Sequence, residues 1–156
     1  MIKITDKFLS KHNACSEGVQ WWCDNGKEPD PIKTIKLLMS DNYFDWANWL
    51  IVRLMTHDQK IKYAIYAAEQ VIDIYEKKYP DDKRPREAIL AAKKYLKNKT
   101  IKNKNAAAYA AYAAYATYAA YAAAYAAYAT YAAIAARVKK SLESKIIKYG
   151  LTLVKP

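Results

Sequence analysis

From Thr5 to Lys97, apolar residues recur at three- and four-residue steps between short polar breaks, the spacing of helices that each bury one face. Thr5 and Asp6 are placed to cap a short first helix through about Lys11, with Phe8 and Leu9 inward. Ser16 is the expected N-cap of a second short helix carrying Val19, Trp21 and Trp22, stopped at Asn25-Gly26. Asp30 followed by Pro31 starts a third helix that ends near Ser40-Asp41-Asn42, because Pro at the first position lacks only an N–H that is unpaired there anyway. A Trp- and Leu-rich helix follows over 43–55. Thr56 caps a long helix over 57–79, apolar at Ile61, Ile65, Ala68, Ile72 and Tyr75. Pro80 to Pro85 is a turn, and Pro85 restarts a helix over 85–97. The polar, basic connector from Asn98 to Asn105 is expected to be an exposed loop, with Asn105 capping the next helix. No alternating strand pattern or hairpin turn occurs, so the fold class expected is all-α.

The pattern changes at Ala106. From there to Ala136 the chain holds twenty Ala, eight Tyr, two Thr and one Ile, with no Gly, Pro or charge. Alanine loses no side-chain entropy in a helix, so these residues predict one helix roughly 46 Å long. The tyrosines at 109, 112, 115, 118, 121, 125, 128 and 131 step mostly by three. Each such step turns about 300°, so the row winds around the cylinder and leaves no polar face. A helix apolar all round is a buried one, which predicts a single-domain bundle, 1–156, built around this rod. The apolar spacing of Ile134, Val138, Leu142 and Ile146 extends the helix to about 106–148, and Gly150 is expected to end it. Three other readings of the rod are weaker. A membrane span would need a partner for every phenol in the hydrocarbon. An ice-binding face would need Thr117 and Thr130 aligned, and they lie about 140° apart. Tyrosine at helical spacing is more often packing than a platform for stacked bases.

Charge narrows the partners more than the pattern does. A net charge of +11 over 156 residues favours acidic partners in general. The lysines are spread over helix ends and loops and form no continuous stripe on one helix, so nucleic acid is not the expected partner. Cys15 and Cys23 fit a reducing compartment better than a disulfide scaffold. The opening Met1 to Asp6 has no apolar core of a signal peptide, and the expectation is a cytoplasmic protein without a membrane span.

No catalytic motif is complete. There is no phosphate-cradling loop, nucleophile elbow or His-Glu-x-x-His, and no enzyme activity or cofactor is expected. His12, Cys15, Cys23 and His57 match no usual zinc spacing. The candidate polar residues are Asp45 and Arg53 in the fourth helix, Glu69 in the fifth, and Asp81, Asp82, Arg84 and Arg86 around Pro85. Two arginines at a helix N-terminus sit where the dipole is already positive, so an anion must compensate them. Within the chain the candidates are Asp81, Asp82, Asp45 and Glu69; outside it, a small anionic ligand or an acidic partner. Internal ion pairing is the expectation for Arg86.

Several of these segments together resemble one family. They are Asn13-Ala14-Cys15 with Gly18 and Trp22, Trp46 through Trp49-Leu50 and Arg53, and Tyr66-Ala67-Ala68-Glu69-Gln70-Val71. The turn Tyr79 to Arg86, with Ala88-Ile89 and Ala91-Ala92, completes the set. The pattern is similar to the immunity proteins of bacterial polymorphic-toxin systems, the fifth numbered group, which has phage-encoded relatives. The chain departs from it in carrying Tyr through the last, Ala-rich segment. The resemblance implies a non-catalytic binding protein that neutralises a cognate toxin by occlusion. A second expectation, from the charge, from Arg84 and Arg86 at a helix start and from aromatic rings able to stack on a base, is a phage anti-defence protein that sequesters a small anionic, nucleotide-like ligand.

Overall fold

The computed structural model describes residues 2–105 and 132–154. They are helical with no strand among them, so the fold is all-α. The order is α1 (Asp6–Lys11), α2 (Ser16–Asp24), α3 (Pro31–Ser40), α4 (Phe44–Leu54), α5 (His57–Glu69), α6 (Ile72–Lys78), α7 (Arg84–Lys97) and α8 (Ala132–Val154). A further helical turn covers residues 101–105. The expected helix through 106–131, with its tyrosine row, lies outside the described residues.

The chain's contacts fall into two compact units, 1–55 with 143–156, and 56–142. In the first, α3 packs against α4, and Ile35, Ala47 and Ile51 are fully buried. Residues 143–154 of α8 add Ile147 and Leu151 to the buried set. The loop before α3 is held by its carbonyls. Ile4 N–H donates to Pro29 O, and the Glu28 carbonyl accepts from both Trp22 Nε1 and the buried Thr34 hydroxyl. In the second unit, α5 packs against α7 and α6, and Ile65, Ile72 and Ile89 form a core flanked by Ile61, Ala68, Ala92 and Leu96.

Side-chain caps fix three of the helix starts. Thr5 accepts from Phe8 N–H, Asp30 from Ile32 and Lys33, and Thr56 forms a reciprocal capping box with Gln59. Ser16 is not a cap. Cys15 holds that position without a side-chain bond, and Ser16 is the first helical residue, its hydroxyl turned to Glu17. The long helix over 57–79 is broken at Gln70-Val71. There Val71 takes φ −123°, its N–H reaches Ala68 O rather than the carbonyl a full turn back, and the Gln70 side chain donates to Tyr66 O. Two β-branched residues, Val71 and Ile72, make that interruption inexpensive.

Two further expectations are corrected. The connector 98–105 is a loop only to Thr100. The Thr100 hydroxyl accepts from Asn103 N–H and starts the helical turn, and the buried Asn103 amide donates to Asn98 O. Asn105 is itself helical, and the rod that it is expected to cap lies outside the described residues. Gly150 does not end the last helix, which runs on to Val154. Gly150 is buried one turn after Ile147 and next to Leu151, so packing overrides its poor helix propensity.

Candidate functional site

The turn before α7 brings its charged residues into ion pairs with one another and with α6. Asp82 accepts from Arg84 Nε at 2.8 Å and Nη2 at 2.6 Å, and from the Arg84 backbone N–H at 3.1 Å. The Tyr75 hydroxyl donates to the same carboxylate at 2.7 Å. The anion that the helix start requires is therefore Asp82 itself. The Arg84 guanidinium, followed by the Tyr75 hydroxyl, holds Asp82 well below the usual carboxylate range, and Arg84 is shifted up in return.

Arg86 is compensated from α6. Its Nε and Nη2 grip Glu76 at 2.5 and 2.6 Å, and Nη2 also reaches Asp73 at 3.2 Å. Hydrogen bonding to Arg86 keeps Glu76 below its ordinary pKa. The compensation is internal, as expected, but through Asp73 and Glu76 rather than any of the four carboxylates named from sequence. Glu69 instead pairs with Lys93 of α7 at 2.5 Å. Asp81 and Asp45 are exposed, and neither forms an ion pair among the described residues.

Asp45 and Arg53 do not come together. Arg53 lays its guanidinium over the Trp49 ring, 3.6 Å from the centroid, and Nη1 donates to Trp49 O at 2.7 Å. Its Nε is buried without a hydrogen-bond partner among the described residues, and burial lowers the pKa of the guanidinium. Arg53 thus differs from Arg84 and Arg86 in meeting a ring and a carbonyl instead of a carboxylate.

Trp46, Trp49 and Arg53 are half-buried along one flank of α4, and Tyr43 at its N-cap is 42% exposed. Tyr43 stacks on Trp46 with centroids 4.3 Å apart and planes 13° apart, and Trp21 of α2 meets Tyr43 edge-on at 6.1 Å. Trp21 is fixed from its other side, Nε1 donating to Asp41 at 3.0 Å. These rings, with Glu17, Gln20 and Asp24 of α2, line an open groove of about 510 Å³. Sequence reasoning used Trp21 only as a helix residue and Tyr43 only as a boundary. The signal was present on α2, where Glu17, Trp21 and Asp24 share one face at steps of four and three.

An apolar cavity of about 160 Å³ shares Trp21 and Trp46 with the groove and is lined further by Trp22, Leu38, Trp49 and Leu50 together with Asn13, Cys15 and Gly18. A Cβ on Gly18 would come within 3.3 Å of the Cys15 sulfur and 3.8 Å of the Trp46 ring, so glycine permits this close packing of α2 on α4. Asn13, Cys15, Gly18, Trp22, Trp46, Trp49 and Leu50 thus meet around one cavity.

Among the described residues no group of His, Cys, Asp and Glu is arranged to hold a metal ion, and no helix is long and apolar enough to cross a membrane. Comparison with models of protein families, with curated proteins and with solved structures finds no match to this chain.

Proposed function

We propose that the chain is a non-catalytic binding protein of the immunity type, which neutralises a cognate toxin by covering it. The observation that carries this reading is the run Tyr43, Trp46, Trp49 and Arg53 along one flank of α4, partly open to solvent. Tyr, Trp and Arg are the residue types that dominate binding energy at protein interfaces, because they bring large contact area at low entropic cost. Arg53 supports the same reading, since among the described residues its guanidinium meets a ring and a carbonyl and no carboxylate, so its charge can be met by one on an acidic partner. The net charge of +11 would draw such a partner from a distance. Co-purification with the products of neighbouring genes tests the proposal. It expects one of them to be held in a stoichiometric complex, and failure of every one to bind overturns it.

The second reading, sequestration of a small anionic ligand, moves from Arg84 and Arg86 to Arg53. Both arginines of the turn already face carboxylates, whereas Arg53 meets a ring and a backbone carbonyl, which leave its charge unneutralised among the described residues. Calorimetry against a panel of nucleotides decides this reading, and a flat response to all of them removes it.

A further inference from the structure

The groove between α2 and the start of α4 has a chemistry opposite to that of the chain as a whole. Glu17 and Asp24 lie seven residues apart on one face of α2 and line the groove, and Asp41 accepts from the indole N–H at the edge of the Trp21 ring. None of the three is ion-paired among the described residues. Glu17 meets the Ser16 hydroxyl, Asp24 the Gln20 amide, and Asp41 the Trp21 indole and the Ser40 hydroxyl. All these donors are neutral, so the carboxylates keep their negative field. Glu17 is held below its ordinary pKa, first by a backbone N–H at the helix start and then by Ser16, and so stays ionised. The rings of Trp21, Tyr43 and Trp46 line the same groove, and an aromatic face not covered by the Tyr43–Trp46 stack attracts cations.

Resting on the binding-protein reading above, we infer that this groove receives the guanidinium of an arginine projecting from the protein partner. An open groove suits a side chain that enters from another surface. Its planar fork can lie against Trp46 or Tyr43 while its N–H groups reach Glu17 or Asp24, which a compact ammonium cannot do at once. The field of the whole chain would repel a strongly basic partner. The fitting partner is therefore one that is acidic or neutral overall and carries a single arginine anchor opposite the groove.

Heteronuclear NMR of the indole N–H signals of the four tryptophans provides the test, with N-acetyl-arginine amide as probe and N-acetyl-citrulline amide as its uncharged isostere. The arginine compound is expected to shift the Trp21 and Trp46 signals, and the citrulline compound to leave them in place. The E17Q/D24N double variant, altered only at exposed side chains, is expected to weaken the response by about tenfold or more. Equal shifts with both compounds, or none with either, overturn the inference. A concentration-dependent dimer abolished by E17Q/D24N would also overturn it, by assigning the groove to a second copy of the chain. The two proposals fail separately. A neighbouring toxin whose complex is indifferent to E17Q/D24N removes the arginine anchor and leaves the immunity reading standing. Arginine binding at the groove with no toxin neutralised does the reverse.

Discussion

Glu76 accepts hydrogen bonds from both Nε and Nη2 of Arg86, at 2.5 and 2.6 Å, and so fastens α6 to the first turn of α7. The geometry is that of a bidentate pair, but the site is at the surface, with the Arg86 side chain 46% exposed. Exposed pairs contribute little, because water competes and two long side chains must be ordered. Arg86→Ala is therefore expected to lower the melting temperature by only a few degrees, far from the collapse that follows loss of a buried pair. Thermal unfolding followed by circular dichroism checks this.

Ile35→Ala should cost much more. The side chain is fully buried in the first unit, and removing it leaves a cavity that close-packed neighbours cannot fill. A loss of about 2–5 kcal/mol is expected from denaturant unfolding. Comparison with Arg86→Ala then ranks core packing against surface charge in the same protein.

Acid should release the turn before α7. Asp82 and Glu76 have folded pKa values depressed by Arg84 and Arg86, so native chains bind fewer protons than unfolded ones in the acid range. Their contribution is fully present above the ordinary carboxylate range of about pH 4, and is lost as pH falls below it. Asp82→Asn lacks one such contribution at neutral pH, and its denaturant midpoint should vary less steeply below about pH 4 than that of the wild type.

The alkaline limit has a different cause. Burial pushes the Tyr63 phenol up to about 12. Above about pH 10 the unfolded chain releases this proton while the folded chain retains it, so the stability held below that pH is lost as pH rises toward 12. Tyr63→Phe should reduce the steepness of that loss between about pH 10 and 12, measured against wild type so that the other tyrosines cancel.

What the sequence made legible was what neighbouring residues decide among themselves. Thr5, Asp30 and Thr56 cap their helices as expected, because a cap involves atoms only two or three residues apart. Gly26, at φ 77°, stops α2 for an equally local reason. Gly150 misled because its neighbours are supplied by tertiary packing, and a buried glycine within a helix looks in sequence like a terminator. The partners of Arg86 were missed for a related reason. Asp73 and Glu76 meet it from thirteen and ten residues back across the turn, a separation that local spacing does not bridge, and the break that begins α6 had no Pro or Gly to announce it. The groove required knowing that α2 lies beside the N-terminus of α4, which no spacing within either helix encodes.

The central claim, that the chain covers a partner through the aromatic flank of α4, is tested most directly by co-expression. The protein and its variants are expressed with each neighbouring toxin, and cell growth is followed. The account predicts that wild type restores growth against one toxin, that Tyr43→Ala and Trp46→Ala fail to do so, and that Leu90→Ala, altered at an exposed apolar residue of α7, restores it fully. Growth restored against no toxin, or restored equally by wild type and the Tyr43 and Trp46 variants, would contradict it.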